Sequence, residues 1–399
     1  MGSYLYPAVC LLVAPVIAGC SRPAATPKGQ WGRLANAGFE NQRIKTTLFF
    51  AGQARDGSAP YECQPLPNES LYTVHPLDAR HLNWSLDRAN RDWVVAGMTG
   101  AGINVITMSS WGERSLPCRE GWAVSAPMQT APAAHDELFA VADGRPLLIM
   151  PLLESRSGWA FRDEFPRGQA GRPAPGTVTQ INDLIGRYLK NPLHPEWAGR
   201  WARVYDRHGE PRYAVVLIHA ASDRLGPDEH EAFAAGFTLV AEEVFRATRV
   251  KVGFFLDALP AGTNAPGRFK PTPEGTGPHL RKTDAVLGIQ CLIPEVWLGQ
   301  RPQSERVVWK RHFATGWFRT GIPFLMDVSP GYDNHLVFPD HRLVYGFDEA
   351  WRSALSAMVR DFGKNGMAFN SWNGYTEGMA AVPTREHGET FSRWLQRLD

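Results

Sequence analysis

The chain has 399 residues, 44% of them hydrophobic and 21% charged, the balance of a globular protein with a sizeable core. Its net charge of +2 gives no basis for binding nucleic acid or an acidic membrane surface. The 14 tryptophans are many for this length; such rings either fill a large core or present flat apolar faces to sugars.

The elements, taken in chain order, begin with a segment outside the fold. Ala8 to Ile17 is apolar but too short to span a bilayer, and it resembles the hydrophobic part of a signal peptide. It ends in Ile17-Ala18-Gly19-Cys20, which matches a bacterial lipoprotein signal, with Cys20 as the residue that receives lipid. The stretch before it, Met1 to Pro7, lacks the usual Lys or Arg. The expectation is a signal peptide over residues 1–19, a tether over 20–42 rich in Pro, Gly, Ala and Asn, and a single folded unit over 43–399. Ser21 after the cysteine points to the outer membrane if the cell is Gram-negative. In an exported protein Cys63 and Cys118, both in expected loops, could pair as a disulfide, whereas Cys291 follows an apolar run and is expected to be buried.

Eight apolar runs follow: Ile44–Ala51, Ile103–Ser109, Leu147–Leu153, Tyr213–His219, Val250–Asp257, Ala285–Gln290, Pro323–Val328 and Met367–Trp372. Most are continuously apolar rather than alternating, as parallel strands covered on both sides are. Helical patterns separate most of them, at Ser85–Ala101, Ala134–Ala142, Val178–Leu189, Pro227–Thr248, Ser304–Arg319 and Phe347–Lys364, with Arg385–Leu398 closing the chain. Only the fifth connection, Ala258–Thr283, lacks a clear helix. Strands alternating with helices predict an α/β fold, and eight of them predict a (β/α)8 TIM barrel. Most connections from helix to strand are short, such as Gly102 and Asn365-Gly366, with Lys190–Arg212 the exception. Those from strand to helix are long, such as Gly52–Trp84 and Ser329–Gly346. That asymmetry predicts a site built on the strand C-termini.

The strand ends supply the candidates. Trp111 and Glu113 follow the second strand, Glu154 the third; His219 ends the fourth, Asp257 the fifth and Gln290 the sixth. Tyr332 and Asp333 come after the seventh, and Trp372, Asn373, Tyr375 and Glu377 after the eighth. Asp327 lies inside an apolar run, so it is expected to be paired and structural. His219 reads either as a hydrogen-bonded core residue or as a base. The carboxyls Glu154 and Asp257 read either as site residues or as caps. Trp, Asn, Tyr and Glu within six residues suit glycosidic cleavage, which needs a protonated carboxyl at the leaving oxygen and a second carboxyl as base or nucleophile. A carboxyl beside Trp372 and Tyr375, partly desolvated, is expected to hold its proton and serve as the acid. The sequence has no Gly-rich phosphate loop, no G-x-S-x-G elbow and no H-E-x-x-H motif, and nothing in it calls for a cofactor or a metal.

Three islands carry a family resemblance. Ala96–Trp111 resembles a helix-then-strand segment ending in tryptophan, Val328-Ser329-Pro330-Gly331-Tyr332-Asp333-Asn334 resembles S-P-G-Y-D-D, and Trp372-Asn373-Gly374-Tyr375-Thr376-Glu377-Gly378 resembles N-E-W-x-E-G. These are motifs of glycoside hydrolase family 99, the endo-α-mannosidase clan, and of related barrel lipoproteins of bacteria. The resemblance implies a glycan substrate and places the general acid on Glu377. It places the general base on the position held here by Gly374, so the acid role carries over and the base role does not. Glu154 and Asp257 lead as replacements, with Glu113 and Asp333 behind them; Trp111, Tyr332, Trp372 and Tyr375 are expected to bound the sugar subsites. The alternative is a lipoprotein that binds or assembles glycan on the same barrel without cleaving it.

Overall fold

The computed structural model describes residues 30–51, 72–82, 84, 87–110, 132–153, 175–217, 230–258, 271–336 and 339–398. Among them are eight parallel strands: Ile44–Phe49 (β1), Val105–Ser110 (β2), Leu148–Leu153 (β3), Pro211–Leu217 (β4), Val252–Leu256 (β5), Val286–Gln290 (β6), Phe324–Val328 (β7) and Gly366–Phe369 (β8). Each pairs with the next. β8 pairs with β1 in the register Ile44↔Gly366 to Thr47↔Phe369, and this closes the barrel.

The continuous apolar runs are explained by two separate cores. Alternate residues of each strand face the barrel interior or the surrounding helices. Leu148, Met150 and Leu152 of β3 join Val105, Val216, Phe255, Leu287, Leu325 and Ala368 inside the barrel. Ile149 and Leu153 join Ile106, Phe254, Met326 and Phe369 in the layer beneath the helices. Thr46 and Thr107 bridge inside the barrel by a 2.7 Å hydroxyl hydrogen bond.

Among the described residues, eight helices follow the eight strands in turn: Arg88–Gly100 (α1), Pro132–Ala142 (α2), Pro175–Tyr188 (α3), His230–Thr248 (α4), Gly277–Leu280 (α5), Gln303–Arg319 (α6), Glu349–Phe362 (α7) and Thr390–Arg397 (α8). Asp87 caps α1 by accepting from the Asn90 N–H at 2.7 Å, and Asp348 caps α7 by accepting from Trp351 at 2.8 Å. Among the described residues of the fifth connection, the helix is the single turn α5. No helix among the described residues is long and apolar enough to cross a membrane.

One expectation is corrected. Residues 30–42 do not behave as the end of a tether. Leu34 and Phe39 are buried against the interior core, together with Ala202 and Val204. Trp31 Nε1 donates to the Val286 carbonyl, and the Asn36 amide holds the Trp201 carbonyl at 2.9 Å and the Arg203 N–H at 2.6 Å. The long Lys190–Arg212 connection has the same role: a helical turn at Pro195–Gly199 and a strand Arg203–Tyr205 antiparallel to β4 lie beside this segment. Two pieces of chain thus meet the strand N-termini, where open apolar side chains would otherwise face water.

Candidate active site

The chain leaves β8 through Asn370 and a cis peptide bond to Ser371. Trp372 N–H donates to Leu48 O at 2.8 Å, and the Asn373 side chain pairs in both directions with the backbone of Phe50, each bond 3.1 Å long. The Asn373 amide therefore ties the end of β8 to the end of β1. Asn373–Gly374 then pairs antiparallel with Met379–Ala380, and between them a helical turn, Tyr375–Glu377, projects the carboxyl of Glu377.

A second hairpin follows β7, in which Gly331–Asp333 pairs antiparallel with Val344–Gly346. It brings the Tyr332 hydroxyl to Glu377, donating to Oε1 at 2.8 Å. Tyr332 is buried, stacked on Tyr345 with ring centres 5.9 Å apart, and Tyr345 in turn lies 4.1 Å beneath the Arg306 guanidinium. Asp333 is engaged by His335, whose Nδ1 lies 2.6 Å from Oδ1 and whose N–H donates to the same oxygen. Glu377 is half-buried. The pair is thus a carboxyl oriented by a phenol at the C-terminal rim of the barrel.

The Gly374 position is closed. A Cβ built there meets Ser371 Oγ at 2.6 Å and Met379 Cβ at 3.3 Å, and that hydroxyl already donates to Met379 O at 2.9 Å. Asp257 is buried past the end of β5, and its Oδ1 accepts from the Leu292 N–H at 3.2 Å. Gln290 is the last residue of β6, also buried, and its Oε1 has no partner among the described residues. Trp372 packs on Gly97 of α1 and on His81, whose ring centre is 6.4 Å away, while Tyr375 is wholly buried against Tyr72, 5.4 Å away. Burial holds the His81 imidazole down at about 4, so it is neutral beside Trp372 at ordinary pH. Trp111, Glu113, Glu154, His219, Cys20, Cys63 and Cys118 lie outside the described residues. No group of three or more His, Cys, Asp or Glu among the described residues is placed to hold a metal ion.

Asp327 is paired, as its place in an apolar run implied. Lys310, buried on α6, bonds to it and lies 2.7 Å from Glu295 Oε2. Burial opposes the Lys310 charge, but Asp327 and Glu295 outweigh it and hold the pKa up. Asp327 Oδ1 accepts from the Ile293 N–H at 3.1 Å and from the Asn370 amide, so the cluster anchors the end of β8. Sequence reasoning missed Lys310, Glu295, His335, Tyr345 and Phe347. Only the Gly346-Phe347-Asp348 helix start carried a local signal, and that signal concerned a cap.

No family model matches the sequence, and no curated protein does. The solved structures similar in fold include two with TM-scores above 0.5. One is a glycoside hydrolase-like protein, 12% identical with a TM-score of 0.57, covering 89% of this chain and 93% of its own. The other is the glycoside hydrolase family 99 endo-alpha-mannosidase from Bacteroides thetaiotaomicron, 12% identical with a TM-score of 0.52, covering 89% of this chain and 97% of its own. The likeness runs over nearly the whole of both partners and is one of fold: the chain is a (β/α)8 barrel of the kind these glycoside hydrolases have.

Proposed function

We propose that this chain is a glycoside hydrolase, anchored at the cell envelope through lipid on Cys20, that cleaves a polysaccharide or glycan with Glu377 as the proton donor. The observation that carries the reading is the 2.8 Å hydrogen bond from Tyr332 to Glu377. It joins the two motif islands after β7 and β8 into one oriented acid at the barrel's C-terminal rim, where barrel enzymes do their chemistry. Asp257 and Glu154 are the candidates for base or nucleophile. A carboxyl separation of roughly 5 Å from Glu377 implies retention of configuration, and roughly 6.5 to 9.5 Å implies inversion.

The test is hydrolysis of a glycan panel by the protein from Ser21 onward, beside Glu377→Gln. α-Mannans head the panel because one structural neighbour is an endo-alpha-mannosidase. The glutamine keeps the shape and accepts the Tyr332 hydrogen bond, but has no proton to give. The expected result is product from the native protein and a loss of about 10²-fold or more in Glu377→Gln, with the same melting temperature. Product at the native rate from Glu377→Gln would remove Glu377 from the chemistry.

A second reading, glycan binding without cleavage, is favoured by Gly374, where the hairpin leaves no room for the family's base. Binding by both proteins with product from neither would establish it.

A further inference from the structure

Phe347 has a φ of +69°, in the left-handed region where a bulky aromatic is an outlier. It follows Gly346, at φ +86°, and precedes the cap of α7. Its N–H donates to Pro330 O at 2.8 Å, so the turn into α7 is fastened to the hairpin that carries Tyr332. The turn itself does not need a phenyl ring, since glycine adopts this backbone without strain. Such strain persists only where the surroundings over-determine it.

The ring is held among close neighbours. A Cβ built on Gly331 would lie 2.8 Å from Phe347 Cδ2 and Cε2, and one built on Gly378 would lie 2.8 Å from Phe347 Cζ. One edge of the ring therefore lies against the residue before Tyr332, and its tip against the residue after Glu377. Both positions are glycine, and any side chain at either would collide with the ring. Behind it, His387 stacks at 5.0 Å and 7° between planes, and Phe391 of α8 closes the edge at 6.1 Å. Tyr345, two residues earlier, stacks on Tyr332 itself.

We propose that Phe347 is a positioning residue: its ring is a wedge between Gly331 and Gly378 that sets how the Tyr332 hydroxyl meets the Glu377 carboxyl. The catalytic consequence rests on Glu377 being the acid; the mechanical part stands apart from that reading.

The experiment follows the ionisation of Glu377 by 13C NMR of glutamate-labelled protein, its resonance identified by its loss in Glu377→Gln. Tyr332→Phe removes the donated hydrogen bond, which favours the charged carboxylate, so the midpoint moves up. Phe347→Ala and Phe347→Gly are expected to move it in the same direction, and Phe347→Leu to move it less. The double variant Tyr332→Phe/Phe347→Ala should move it no further than Tyr332→Phe alone, because the ring acts through that bond. Phe347→Gly relaxes the left-handed backbone, so its cooperative melting separates positioning from misfolding. On a hydrolysed glycan, Phe347→Ala should lower kcat by roughly 10- to 100-fold with KM changed by less than about twofold. A native midpoint in cooperatively melting Phe347→Gly, or additive shifts in the double variant, would overturn the proposal. Absence of product from the native protein would overturn the hydrolase reading alone and leave the titration test intact.

Discussion

Gly374 stands where the motif's resemblance to glycoside hydrolase family 99 would place the general base, and a Cβ added there would lie 2.6 Å from Ser371 Oγ. Ser371 Oγ cannot turn away without giving up its 2.9 Å bond to Met379 O, and Met379 Cβ closes the other side. Gly374→Glu therefore overpacks a buried turn and brings in a charge, a combination that costs about 2 kcal/mol or more. The expected outcome is a lower urea midpoint with no gain in glycan hydrolysis. A variant as stable as the native protein and at least tenfold more active would show that the turn opens readily. At the same scale, Glu377 and Tyr332 were legible in the sequence because each sits in a dense polar island at a strand end. Phe347 was not, because the groups that give its ring a purpose, Gly331 and Gly378, lie 16 and 31 positions away in the chain.

Among the elements, α6 departs furthest from the pattern of its neighbours. Its buried positions, Arg306, Lys310, Ala314 and Trp317, recur at helical spacing, but the first two are cations. They face inward because the start of α6 lies beside the turn at Pro294–Leu298: Arg306 Nη1 donates to Glu295 O at 2.6 Å, and Lys310 is held between Glu295 and Asp327. Removing Lys310 leaves two carboxyls buried without their counter-charge. Lys310→Met is expected to lower stability by about 3–5 kcal/mol in urea unfolding. Adding Glu295→Leu should recover part of that loss, since one stranded carboxyl goes with it. Losses that simply add would show that the three groups do not act as a unit. The helix was legible from composition, but its inward face was not, because a lysine among Val, Trp and Arg reads as solvated until its partners are located.

For the whole molecule, the lower mouth of the barrel is closed by chain outside the eight repeats. A chain beginning at residue 43 loses Leu34 and Phe39, which are 0% and 8% exposed. Each contributes about 1.5–3 kcal/mol of burial, so the melting temperature should drop on the order of 10 °C relative to the chain beginning at Ser21. Equal melting of the two would mean that residues 30–42 lie on the barrel without stabilising it.

The sequence by itself determined the eight strands, most of the helices between them and the placement of the polar islands at strand C-termini. Those are properties of periodicity, run length and loop length, all local along the chain. Only the tertiary structure decided that Tyr332 meets Glu377, that Gly374 is sterically sealed, that Lys310 is buried between two carboxyls and that residues 30–42 cover the barrel's lower mouth. Each of those depends on distances between residues far apart in the chain, and a local pattern carries no record of such distances.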